Sequence, residues 1–378
     1  MRDGPEPSLS TPTRRAFLRT MLLGGGAAWL SGCQSAPSTP AAPPPSPPAE
    51  SAGSSPSLGE LIEAARKEGK VVLFGPPGAE TRTELPRAFE RRYGIQLEYL
   101  SGRLGDMASR LLSERAAGLY TMDVAVGGAQ TQATVMWDAG MHDPIRPILV
   151  DPSVTDPTKW TTGKLWFLDP QEQYVLRISR FVSGLLALNT EHGALSDVRL
   201  ARDLLNPRWR GKIITDDPRT AGTGSNNAAM LYAVFGEDFL RQFYVDQKVV
   251  FTREERQSAD WLARGTYPIQ YPANPRYVQP LIEQGFPIEV NQGFEDFPGQ
   301  ISSGSGVVAL INQAPHPNAA RLFVNWLASP EGLEVYSRTQ RAPSVRTDLD
   351  ESWAAESERP KPGVQYFDSY EWEFTSQT

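Results

Sequence analysis

At 378 residues with 40% hydrophobic content, the chain exceeds what one core usually serves, and two lobes are expected. The formal net charge of −7 and the lack of basic runs argue against nucleic acid as a partner. Cys33 is the only cysteine, which excludes an internal disulfide.

The first 33 residues read as a processing signal and not as part of the fold. Arg14 and Arg15, followed by Ala16-Phe17-Leu18, resemble the twin-arginine export consensus. The apolar run Met21–Leu30 is too short for a bilayer, which takes roughly 20 apolar residues. It ends in Leu30-Ser31-Gly32-Cys33, which resembles a lipobox with Cys33 as the acylated residue; an unlipidated signal with an incidental cysteine is the alternative. Residues 34–56, rich in proline, serine and alanine, cannot bury a core and read as a disordered tether. The expectation is an exported protein, in the periplasm or at the cell surface, held to the membrane through lipid.

Folded elements begin at Ser57, where Ser57-Leu58-Gly59-Glu60 matches a capping box. Leu58, Leu61, Ile62 and Ala65 then recur at helical spacing until Gly69. Lys70–Gly75 reads as a buried parallel strand, followed by a helix around Leu85–Tyr93. A strand over Ile95–Leu100, a helix over Leu104–Ala117 and a strand over Met122–Val126 complete the run. Such alternation predicts a mostly parallel sheet covered on both faces. Later, Lys212–Thr215 reads as a strand with a helix starting near Asn227, and Ala319–Leu327 forms an amphipathic helix. His316 is expected at the start of that helix and Trp209 in packing.

Four stretches, in order, resemble one family. They are Lys70–Gly128, FVSGLLALNT at 181–190, LNPRWRGKI at 205–213 and HPNAARLFVNWLASPEG at 316–332. Together they resemble an extracellular solute-binding protein of an ABC importer, of the type II class that includes the ferric-binding proteins. The resemblance implies an α/β fold of two lobes, a type II periplasmic-binding-protein fold, each lobe a mostly parallel sheet flanked by helices and joined by crossover strands. Residues 57–185 and 300–350 would form the first lobe and 186–299 the inserted second. Residues 351–378 would be a C-terminal extension. The implied function is capture of a small solute, an organic or oxyanion ligand, for delivery to a membrane permease by a monomer. A ligand-sensing subunit is an alternative from the same fold.

In open α/β sheets, ligands gather beyond the carboxyl ends of strands, where helix N-termini offer free N–H groups. Three loops have that placement, and they supply Gly78, then Ser101, Gly102 and Arg103, then Arg219, Thr223, Gly224 and Ser225. The last group, in DDPRTAGTGSN, combines a guanidinium fork with hydroxyls and close-approach glycines. Its plain alternative is a helix cap by Thr223 or Ser225, with Arg219 paired to Asp216 or Asp217. From the second lobe, Tyr271, Asn274 and Arg276 are expected to face the cleft; ordinary loop residues are the alternative.

The ferric-binding subset typically ligates iron with a His in the first loop, a Glu after the third strand and adjacent tyrosines. Here those positions fall near Gly78, near Gly128 and around Tyr271–Tyr277, where no two tyrosines adjoin. Ferric iron wants anionic oxygen donors, so no metal and no cofactor are expected, with a ferric iron or iron-complex binding protein of the same class as the alternative. An enzyme is not expected either. His142, His192 and His316 form no metal-spaced pair, and neither GxSxG nor a P-loop occurs.

Overall fold

The computed structural model describes residues 56–220, 222–297, 299–369 and 371. The proposed export and lipidation residues Arg14, Arg15 and Cys33 lie outside them.

Ser57 caps α1 (Leu58–Glu68) as the sequence predicts. Its hydroxyl accepts from the Glu60 N–H, and the Glu60 carboxylate accepts from the Ser57 N–H at 2.8 Å. Gly69, at φ 70°, ends the helix. β1 (Lys70–Gly75) is buried over Val71–Gly75 because it lies between two parallel neighbours, β2 (Gln96–Ser101) and β3 (Val124–Val126). α2 (Ala79–Tyr93) and α3 (Leu104–Ala116) connect them. After β3 the chain makes a short turn, α4 (Ala129–Thr131), continued by a π-turn over Gln132–Met136. Then come β4 (His142–Asp143), α5 (Pro152–Thr155) and β5 (Val175–Arg177).

The crossing segment begins with β6 (Phe181–Ser183) and leads straight into β7 (Leu185–Asn189). A second sheet follows, with β8 (Ile213–Asp216), α6 (Thr223–Arg241), β9 (Val250–Thr252) and α7 (Glu255–Ala263). It continues through β10 (Ile269–Ala273), α8 (Pro275–Glu283) and β11 (Ile288–Asn291). The chain returns by β12 (Gln300–Ser302) to β13 (Val307–Ile311) in the first sheet, then to α9 (Pro317–Ala328) and α10 (Pro330–Gln340). β14 (Phe367–Asp368) comes last.

The first sheet has the order β2-β1-β3-β13-β4, with β5 also on β13, and the second β11-β7-β10-β8-β9. Both are mixed, not mostly parallel. β13 runs antiparallel to β3, and β7 antiparallel to β10 and β11. The reason is geometric. Parallel strands end at the cleft, whereas β7 and β13 arrive from the crossing ribbon and run away from it. That ribbon is a small sheet, β14-β12-β6. Its third strand belongs to the C-terminal extension, which is anchored by an ion pair between Asp368 and buried Arg177 at 2.9 Å.

Each sheet has its own core. In the first, Phe89 packs its ring 5.3 Å from both Phe323 and Trp326, joining α2 to α9. In the second, Leu186, Leu188, Trp209, Met230 and Phe243 are buried together. Trp209 is therefore packing, as expected. Among the described residues, no helix is long and apolar enough to cross a membrane.

Candidate functional site

The carboxyl ends of the parallel strands converge on a cleft. Its outer chamber, about 210 Å³, takes Gly102–Gly105 after β2, Gly127–Thr131 after β3, Asp216–Asp217 after β8 and Thr252–Arg253 after β9. An inner chamber, about 190 Å³, lies beside the crossing ribbon and is lined by Ser183, Gln300 and Ser302–Gly306. The two share Pro77, Thr223, Glu255, Gly304 and Ser305, so they form one continuous cleft.

Two long helices start at the outer chamber, one from each sheet. α3 begins after Arg103 and α6 after Gly222, and neither N-cap has a side-chain hydrogen bond to its helix. The N–H groups of Leu104, Gly105, Thr223 and Gly224 meet no acceptor among the described residues. Helix N-termini with free donors attract anions through both hydrogen bonding and the macrodipole.

Three contacts hold the cleft shut. The Gln130 side-chain oxygen accepts from the Gly222 N–H at 3.2 Å and from the Ser225 hydroxyl at 3.3 Å. The Arg103 guanidinium donates to the Arg253 carbonyl. Arg276, on α8, donates to Gln340 of α10 at 2.9 Å.

Charge in the cleft is mixed. Asp216 accepts no hydrogen bond through its carboxylate among the described residues, and its pKa is pushed up to about 7. Burial is the main cause, Glu255 adds to it, and Arg103 opposes. Glu358 is pushed up to about 8 by burial, opposed by Arg276. Asp217 behaves oppositely, falling to about 2 because the Arg219 side chain and backbone donate to it.

The structure sorts the sequence-predicted residues. Gly102, Arg103, Thr223 and Gly224 line the outer chamber, and Asn274 and Arg276 the inner one. Gly78 caps α2 and lies against Arg276; a Cβ there would stand 2.4 Å from the guanidinium. Ser225 is not on the wall but closes the cleft through Gln130. Ser101 ends β2 as an exposed residue off both walls, because its backbone pairs with Gly75. Arg219 also lies off the wall, 74% exposed, with its fork on both Asp217 oxygens at 2.7 and 2.8 Å. The paired alternative is the one realised. Tyr271 does not face the cleft. It is fully buried, its ring 5.1 Å from Phe294, because both faces of β10 are covered. Gly224 is structural as well as lining, since a Cβ would stand 2.5 Å from the Asp217 carbonyl oxygen. α6 starts four residues before the expected position, with Gly222 as N-cap in place of Thr223 or Ser225.

Sequence reasoning missed Gln130, Asp216, Glu255, Glu358 and the Ser302–Gly306 loop. The last had a signal, SSGSG directly after a strand. His316 begins α9 as expected, its Nδ1 2.8 Å from buried Asp123.

No protein-family model matches the chain. An uncharacterized protein of Haemophilus influenzae is 23% identical over 288 residues, 72% of this chain and 76% of its own length. Among solved structures, the chain is similar to the periplasmic binding protein AfuA from Actinobacillus pleuropneumoniae with exogenous fructose-6-phosphate bound. The TM-score is 0.64 at 18% identity, covering 82% of this chain and 94% of that one. It is similar to iron-bound HitA from Pseudomonas aeruginosa with a TM-score of 0.63 at 17% identity, covering 82% and 95%. The shared property is the fold: mixed α/β, in two lobes, as in the type II periplasmic binding proteins.

Proposed function

We propose that the chain is the solute-capturing subunit of an ABC import system, exported and tethered through lipid at Cys33. Residues 57–185 with 300–350, and 186–299, serve as the two lobes of a clamp. The solute is a small organic anion or oxyanion, handed unchanged to a membrane permease. One observation carries this reading: helices from two different sheets, α3 and α6, direct unpaired N–H groups at a single cavity. An anion there would be held by both lobes at once, so binding would favour the shut form over the open one. AfuA, with its sugar phosphate, supports that chemistry by likeness of fold.

HitA makes ferric iron the competing cargo. Iron would need clustered anionic donors. Among the described residues, no group of three or more His, Cys, Asp or Glu could hold a metal ion. The organic anion is therefore preferred.

Native mass spectrometry of the purified chain, followed by scattering and tryptophan fluorescence with sugar phosphates, phosphate, citrate and ferric ion, tests the proposal. The expected result is micromolar or tighter binding of an anion with compaction. Silence with every anion, or a response to iron alone, overturns it.

A further inference from the structure

The C-terminal extension carries a carboxyl side chain into the cleft. Glu358 lines the inner chamber and is only 6% exposed. Its carboxylate accepts no hydrogen bond from any described residue. Three more groups on the same wall are buried without partners among the described residues: the Ser183 and Ser303 hydroxyls and the Gln300 side-chain oxygen. All four groups can accept, and a carboxylate and an amide oxygen can only accept. The chamber's own cation, Arg276, already donates to Gln340, and Asn274 donates to Glu255 at 3.3 Å. Among the described residues, no donor reaches the Glu358 carboxyl or the Gln300 oxygen. Buried polar groups left unpaired are costly, so a native chamber of this kind is built around what it binds.

We infer that the inner chamber receives the ammonium end of a zwitterionic solute, with Glu358 as its counter-charge, while the anionic end lies at α3 and α6. The inference rests on the carrier reading above and specifies its substrate. An ammonium brings three donors and one positive charge, which matches the Glu358 carboxylate and the neighbouring acceptors. Burial holds a proton on Glu358 in the empty cleft, against the opposing charge of Arg276. That proton leaves to solvent when the ammonium arrives.

The test is calorimetric, on the full chain, with aminoalkyl phosphates of increasing length, each against the alkyl phosphate of equal length. In the unmodified protein, one amino member should bind at least about tenfold tighter than its alkyl partner. A tenfold gain is about 1.4 kcal/mol. Its binding at neutral pH should release a proton, read from the dependence of heat on buffer. Glu358→Gln should erase both the advantage and the proton release. Equal affinities within every pair of the unmodified protein overturn the inference and leave the carrier intact. So does an advantage that survives Glu358→Gln. Failure of both series overturns the inference together with the anion reading.

Discussion

Two aspartates, one in each lobe, show how differently the regions are built. Asp123, before β3, is fully buried and accepts from the Val72 N–H, the His316 N–H and the His316 ring, all within 2.8 Å. Asp216, at the end of β8, lines the cleft with no donor to its carboxylate among the described residues. The first ties α9 to the sheet edge and is satisfied. The second has no such partners among the described residues and faces the outer chamber. The contrast extends to the whole outer chamber. The first sheet gives it mainly glycine-rich backbone and one charged side chain, Arg103. The second gives Asp216, Asp217, Arg253 and Glu255. The outer chamber therefore meets mostly fixed backbone on one side and titratable side chains on the other.

The sharpest break of that comparison is Asp123→Ala. It strands three donors, the Val72 N–H buried and the two of His316 half-buried, and the expected loss is about 3–5 kcal/mol in denaturant unfolding, as for a broken buried network. A loss below about 1 kcal/mol would place Asp123 in the same class as Asp216.

Asp216→Asn should act in the other direction. Its folded pKa, about 7, lies above its ordinary value of 3.8. Between those values the folded chain keeps a proton that the unfolded chain gives up, so stability falls as pH rises from about 4 to about 7. The slope is at most about 1.4 kcal/mol per pH unit for one group. Asp216→Asn removes that decline, and thermal melts across the window should show the variant gaining on the parent at the upper end. Parallel curves would refute the assignment.

The smallest effect is expected from Arg219→Ala. Arg219 itself stands in solvent, although the Asp217 side chain is only 14% exposed, and bonds from an exposed partner contribute little. Neither the melting temperature nor the affinity for an anion should move measurably. A clear loss of affinity would return Arg219 to the wall.

Much of the fold was legible because local and tertiary preferences agree. The capping box at Ser57, the apolar run of β1 and the stripe of α9 each carry their own signal, and each appears where expected. The first turn of α6 was not legible. Thr223-Gly224-Ser225-Asn226-Asn227 are poor helix formers, and the turn exists because Gly224, Asn226 and Asn227 are buried against the sheet. Tyr271 was misplaced because a strand covered on both faces loses the alternation that tells inside from outside. Arg219 had a readable clue in the Asp two residues before it. Glu358 had none, since its segment has no periodicity and its burial depends on an extension folding back onto the hinge side of the cleft.

That extension does one thing more. By laying β14 beside β12, it turns the two-stranded crossing ribbon, the pivot of the proposed clamp, into a three-stranded one, pinned by Asp368 on Arg177. A thicker pivot flexes less readily. On the proposed reading, its tail would therefore govern tempo: how long a captured molecule stays aboard before the jaws part, and how promptly an unloaded clamp resets for another.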